Sequence, residues 1–228
     1  MELFSAQFFS ALIAIIIIDL ALAGDNAIVI AIAARSLPKH LQKRAIIWGT
    51  AGAIVLRAVM TLFVVWLLQI PGLLLAGGLL LIWIAYSLLA PVTEKKRSGA
   101  AAATFWSAMK TIIIADAVMG FDNVLGVAGA AHESFLLVIV GLLISVPIVV
   151  WGSTLILSWV ERFPGLIYIG AGVLAWTSAK MITDEPLLEE FFGRMRIAVW
   201  ATYALVIGGV LLAGYVVNKH KKKRRELE

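Results

Sequence analysis

The feature that most constrains this chain is a succession of apolar runs, several long enough to supply the ~20 residues a helix needs to cross a hydrocarbon layer of about 30 Å. Hydropathy and turn residues place seven of them, at Phe8–Ala34, Ala45–Leu68, Gly72–Ala90, Phe105–Ala131, Phe135–Trp159, Gly165–Met181 and Ile197–Val217. A backbone in lipid has no water to satisfy its N–H and C=O groups, so runs of this length read as helices. The composition agrees, since 62% of residues are hydrophobic and 14% charged, outside the range of soluble globular domains. The first run reads as a retained span. It lacks a basic flank, it exceeds the ~15 apolar residues of a cleaved leader, and it carries Asp19 and Asp25.

A sequence pI near 9.6 would suit a nucleic-acid partner, but the basic residues stand at the flanks of the spans. The preference of Lys and Arg for cytoplasmic loops explains them with no nucleic acid and no partner other than the lipid bilayer. With the N-terminus outside, the inner segments collect Arg35, Lys39, Lys43 and Arg44, then Lys95, Lys96 and Arg97, then Arg162, then the six basic residues of Lys219 to Arg225. The outer segments collect only Lys180, Arg194 and Arg196. A multi-pass protein with an external N-terminus and a cytoplasmic C-terminus follows.

The chain also repeats itself. DLALAGDNAIVIA begins at Asp19 and DAVMGFDNVLGVA at Asp116, so that Asp19/Asp116, Asp25/Asp122 and Asn26/Asn123 match at one offset of 97. Trp48-Gly49-Thr50 is answered by Trp151-Gly152-Ser153, and IPGLLLAGG with Trp83 by FPGLIYIGA with Trp176. Matching pieces recur in the same order, and a unit of three crossings must re-enter from the opposite side. The expected fold is therefore an all-α membrane protein of seven transmembrane helices, a 3+3 inverted repeat plus one additional C-terminal helix. Its parts are repeat one over 1–90, a cytoplasmic basic loop over 91–104, repeat two over 105–181, an external acidic loop over 182–196, the seventh helix over 197–217 and a basic cytoplasmic tail over 218–228.

A carboxylate in mid-membrane is costly unless protonated, paired or bound to a cation, which makes Asp19, Asp25, Asp116 and Asp122 functional candidates. On a straight helix Asp19 and Asn26 share a face, as do Asp116 and Asn123, while Asp25 and Asp122 point elsewhere. Local unwinding at Gly24 and Gly120 would swing the second acid of each motif toward the first and free carbonyl oxygens. Two facing half-sites would then offer Asp19, Asp25, Asn26, Asp116, Asp122 and Asn123 as metal ligands. An all-oxygen set suits Mg²⁺, Ca²⁺ or Mn²⁺, and the absence of cysteine rules out thiolate sites. Metal and protons would compete for the same oxygens, which allows coupling of ion movement to a proton gradient. The plainer reading of the motifs is a hydrogen-bond network joining two helices. Arg57, in mid-span, is open between counter-ion to a motif aspartate and structural pairing. Lys110 reads as snorkelling to the interface and Met119 as packing, and the repeated tryptophans read as anchors.

The AGDNAIVIA run and its partner FDNVLGVAGAA resemble the TerC family of membrane proteins, over essentially all seven spans. The family takes its name from tellurite resistance and is grouped with LysE-type exporters. The resemblance implies a protein of the bacterial cytoplasmic (inner) membrane, with Mn²⁺ as the ion, Ca²⁺ or Mg²⁺ as alternatives, and export as the direction. It also implies the six motif residues as ligands. The function expected is thus a secondary transporter exporting Mn²⁺ through a midplane Asp/Asn site, with proton coupling. The alternative is a non-transporting membrane partner holding a structural cation, aiding metal or tellurite stress resistance or the metalation of secreted proteins. A homodimer, secretion machinery and metalloenzymes are the further partners these readings admit. No Ser-His-Asp set, HExxH, P-loop or dinucleotide fingerprint is present, so no enzyme activity and no catalytic residue is expected.

Overall fold

The computed structural model describes residues 6–67, 70–90, 101–130 and 135–225, while the side chains of 6–7, 18–23, 64–65, 101–104, 122–130, 135 and 221–225 fall outside that description. Among the described residues all regular structure is helical. In chain order the helices are α1 (Ala6–Ala34), α2 (Lys39–Leu62), α3 (Val64–Leu67), α4 (Leu73–Leu89), α5 (Ala101–Ala130), α6 (Phe135–Arg162), α7 (Leu166–Thr183), α8 (Glu189–Arg194) and α9 (Arg196–Arg225), with a 3-10 turn at Pro186–Leu188 before α8. Among the described residues four stretches are long and apolar enough to cross a membrane, Lys39–Leu62, Leu136–Arg162, Leu166–Thr183 and Arg196–His220. Leu73–Leu89 is a shorter apolar helix, and within α1 the apolar stretches whose side chains are described are Phe8–Ile17 and Gly24–Ala34.

Three boundaries differ from the hydropathy reading. The second span is not one helix over Ala45–Leu68. It starts six residues earlier, after Pro38, whose carbonyl accepts the N–H groups of Leu41 and Gln42 at 2.8 and 3.2 Å. Lys39, Lys43 and Arg44 therefore ride on its first turns, exposed, with apolar stems along the helix and charged heads free to reach water. It ends at Phe63 (φ −105°, ψ 8°), amid β-branched and aromatic residues that are poor helix formers. The basic tail is likewise helical as far as Arg225, because Lys and Arg are good helix formers and cations are favourable at a helix C-terminus. The segment expected as an external loop contains the 3-10 turn and α8, in which Arg194 pairs with Glu190 one turn earlier.

α1 packs chiefly on α6 and α5, and α2 on α5 and α6. α4 packs on α7, and α9 lies against both of these. Close approach rests on small residues. Buried Ile15 of α1 fills the space that a Cβ on Gly141 of α6 would take, and buried Ile112 of α5 does the same at Gly49 of α2. Between α4 and α7, Ser178 Oγ donates to the Gly78 carbonyl at 2.7 Å, and a Cβ on Gly78 would stand 2.9 Å from the Ser178 carbonyl oxygen. Backbone cannot step aside as a side chain can. Gly78→Ala is therefore expected to destabilise by about 1–3 kcal/mol, the usual range for overpacking. Gly208→Ala in α9, where a Cβ meets nothing within 4 Å, is expected to be neutral or slightly stabilising in the same detergent melting assay.

Helix ends meet in two separate groups. In one, Arg35 after α1 donates to the carbonyl of Leu88 near the end of α4 at 2.9 Å. Asn218 near the end of α9 donates to the Leu89 carbonyl and to the Tyr168 hydroxyl of α7, both at 3.0 Å, and Gln42 of α2 donates to Glu161 of α6 at 3.0 Å. In the other group, Glu185 after α7 reaches the start of α4. Its carboxylate accepts the N–H groups of Gly72 (2.9 Å), Leu75 (3.1 Å) and Leu187 (3.3 Å). Gly72, at φ 79°, turns its N–H toward that carboxylate in a left-handed conformation that disfavours any side chain. α4 thus has an acid at its N-terminus and an arginine at its C-terminus, both complementing its dipole.

Burial of Glu185, 1% exposed, on its own favours the neutral acid, but the backbone N–H groups outweigh it and hold the carboxyl below the usual glutamate range. A depressed folded value contributes stability that is present above the ordinary value of about 4.3 and is lost as pH falls through the folded value. Wild-type protein is expected to lose melting temperature over that acidic interval, whereas Glu185→Gln should start lower and lack this component of the acid-dependent loss.

Candidate functional site

The inner face of α2 is set by its pattern. Gln42, Ala45, Ile46, Gly49, Thr50, Ala53 and Arg57 are buried at helical intervals, so the stripe that seats α2 against α5 also carries Arg57 inward. There its Nη2 donates to Asp116 Oδ1 of α5 at 2.7 Å, with side-chain exposures of 6% and 8%. One turn beyond Asp116 stands Gly120, where a Cβ would lie 3.2 Å from Arg57 Nε. The guanidinium crosses α5 through the space this glycine leaves.

Asp25 of α1, partly buried, lies within Coulombic reach of both Asp116 and Arg57. Its Oδ1 accepts the backbone N–H of Asn26 at 2.8 Å. Asn26 is 3% exposed, and among the described residues neither the oxygen nor the nitrogen of its side-chain amide has a hydrogen-bond partner. Leaving such a group unmet costs on the order of 1–3 kcal/mol, and it demands an explanation in a folded protein. The Thr50 hydroxyl, also 3% exposed, has no partner among the described residues either, and it lies two turns from Arg57 on the same face of α2. The arrangement brings two carboxylates and one guanidinium from α1, α2 and α5 within electrostatic reach of one another, with the Asn26 amide next along α1 from Asp25.

Of the six residues expected as ligands, Asp25, Asn26 and Asp116 fall in this region, while the side chains of Asp19, Asp122 and Asn123 lie outside the described residues. Among the described residues no three His, Asp or Glu side chains gather as a metal cage. The expected unwinding at Gly24 and Gly120 is corrected, since α1 and α5 run unbroken through both positions. The physical reason is the solvent. A glycine costs a helix about 1 kcal/mol relative to alanine, whereas freeing backbone groups in lipid costs several for each. Gly120 serves clearance for Arg57, a role invisible in local sequence because it depends on the neighbouring helix.

Arg57, open in the sequence between two roles, is paired with Asp116. Glu185 drew no attention in the sequence beyond its charge. An acid immediately before Pro186, with Leu187 and Leu188 following, was the available signal of an N-cap. Met119 is packed in the core, Lys110 is exposed, and Trp48, Trp83, Trp151 and Trp176 are all exposed at 50% or more. A groove between the starts of α2 and α5, lined by His40, Arg44, Trp48, Phe105, Trp106 and Met109, holds no acidic group and lies apart from these residues.

Comparison with known proteins adds lineage. The family described as "Integral membrane protein TerC family" matches residues 4–223. The uncharacterized membrane protein YjbE of Bacillus subtilis (strain 168) is 41% identical over 211 residues, covering 92% of this chain and 96% of its own. The uncharacterized membrane protein YkoY of the same organism is 23% identical, covering 89% and 70%. The UPF0053 inner membrane protein YgdQ of Escherichia coli (strain K12) is 23% identical, covering 74% and 78%. No solved structure matches the chain significantly.

Proposed function

The chain belongs to the TerC family of integral membrane proteins, and from that premise we propose that it is a secondary transporter exporting Mn²⁺ across the bacterial cytoplasmic membrane. The observation that carries the reading is buried Asp116 within electrostatic reach of partly buried Asp25, whose neighbour Asn26 is a buried amide with no hydrogen-bond partner among the described residues. Hard divalent cations take carboxylate and amide oxygens, and a transported ion needs a site that is incompletely satisfied without it. By the repeat register Asp19, Asp122 and Asn123 complete the ligand set. Protons compete for the carboxylates, so an inward proton gradient drives export.

The inverted repeat finds support in how the helices pair. α1 on α6 is answered by α5 on α2, and α1 on α7 by α5 on α4, as a two-fold axis relating the triplets requires. Ile15 and Ile112, 97 apart like the motif aspartates, each pack against a glycine in the second helix of the other triplet. The two groups of helix ends support alternate crossings. Among the described residues α9 packs chiefly on α7 and α4, the third helix of each triplet, which suits a peripheral seventh span. We take the N-terminus as external and the C-terminus as cytoplasmic, and assign no catalytic residue.

Purified protein in liposomes loaded with Mn²⁺ is expected to release it when a proton gradient is imposed, and protein-free liposomes to retain it. Absence of flux from well-folded protein that still binds Mn²⁺ would favour the non-transporting partner with a structural cation. A tag after Glu228 should be protected in right-side-out vesicles and a tag before Glu2 accessible. Both tags on one side would overturn the odd number of crossings.

A further inference from the structure

We propose that Arg57 is a tethered competitor for the transported cation: its guanidinium holds the Asp116 carboxylate in the empty carrier, and the divalent cation binds only as Arg57 leaves. The inference rests on the ion site proposed above and concerns its regulation.

Three observations carry it. The pair is made at 2.7 Å with both side chains almost fully buried, so the cation would arrive at an oxygen already held by a full positive charge. In a low-dielectric interior a divalent ion and a guanidinium cannot share that carboxylate without strong repulsion. The place is also prepared for the arginine, because Gly120, one turn from Asp116, leaves the room through which Nε passes. Finally, the device is one-sided. Arg57 stands eight residues after Gly49, on which Ile112 packs, and eight residues after Gly141, on which Ile15 packs in the same way, stands Val149, a partly buried valine. The acid of the second motif thus has a resident cation whose counterpart in the other half is an apolar side chain.

The consequence is directional. An inverted repeat of identical halves would leave its two access states equal in energy, and a cation present in one half alone makes them unequal. Arg57 re-pairing with Asp116 after the metal departs neutralises that acid for the return step, while the protons that drive export ride on the remaining carboxylates. A carrier deprived of that surrogate can still shuttle loaded, yet resets poorly when empty.

The test uses the full chain in nanodiscs and proteoliposomes, with Mn²⁺ as the probe. If the paired state holds nine-tenths or more of the empty protein, pairing weakens apparent affinity about tenfold or more. Arg57→Gln is then expected to bind Mn²⁺ at least about tenfold more tightly by the EPR signal of free Mn²⁺. It should retain Mn²⁺/Mn²⁺ exchange across liposomes and lose most net efflux. Arg57→Lys, which keeps the charge but not the planar fork, should fall between and serves if the glutamine variant does not fold. Wild-type binding together with unchanged or weaker binding in both variants, or net efflux lost in step with exchange, would overturn the competitor role and leave the ion site standing. If wild type and variants alike bind no Mn²⁺, the ion site itself falls and this inference with it.

Discussion

Replacing Asp25 with asparagine is expected to reduce Mn²⁺ affinity more than about 100-fold and to abolish net export, while the protein inserts and accumulates as wild type does. Loss of a group that merely orients a ligand costs 10–100-fold in metal affinity, so loss of a ligand charge should cost more. Insertion is spared because neutralising an acid within an apolar helix removes an expense of about 2.5–3.5 kcal/mol on the insertion scale. Asp122→Asn should behave alike if the repeat register holds. Asn26→Leu supplies the contrast. Among the described residues the amide has no hydrogen-bond partner to lose, so an apolar side chain of similar size should raise the melting temperature while weakening Mn²⁺ binding. Titration calorimetry beside thermal melting checks the pair. Normal accumulation of Asp25→Asn with full relief of manganese toxicity would remove Asp25 from the site, and a stabilised Asn26→Leu with unchanged affinity would make that amide a packing defect.

The second large effect concerns stability. Arg57→Ala strands the Asp116 carboxylate at 7% exposure, and removing one partner of a buried pair costs about 3–5 kcal/mol. Much of that loss is the uncompensated charge. Adding Asp116→Asn removes it, so the double variant should recover most of the melting temperature lost by Arg57→Ala alone. This is the reverse of additivity and diagnostic of contact. Additive losses in the double-mutant cycle would mean that the pair is not formed in the membrane. The cycle reads folding and the Mn²⁺ measurements read the ion, so the structural and competitive roles of Arg57 are measured separately.

The apolar runs, the flank charges and the duplicated Asp and Asn motifs were legible in the amino-acid sequence because each is a one-dimensional consequence of the solvent. Lipid demands long helices, water claims the charged flanks, and an acid surviving between them marks itself. Family membership follows from the same residues. Helix limits were less legible. Lys39 to Arg44 look like loop by charge, but their stems belong to α2 and only their heads need water.

What the sequence determined by itself is the class of structure and the residues worth asking about: an all-helical membrane chain, with acids and amides in its first and fourth apolar runs. Tertiary structure alone decided what those residues do to one another. No spacing predicts that Arg57 would reach Asp116, that Gly120 is empty for a guanidinium instead of a helix break, or that Glu185 would close the start of a helix 113 residues away from it. The reason is physical. Periodicity fixes which face of one helix is buried, whereas the partner of a buried charge depends on which helix lies opposite and at what height, and that is settled by the packing of the whole bundle.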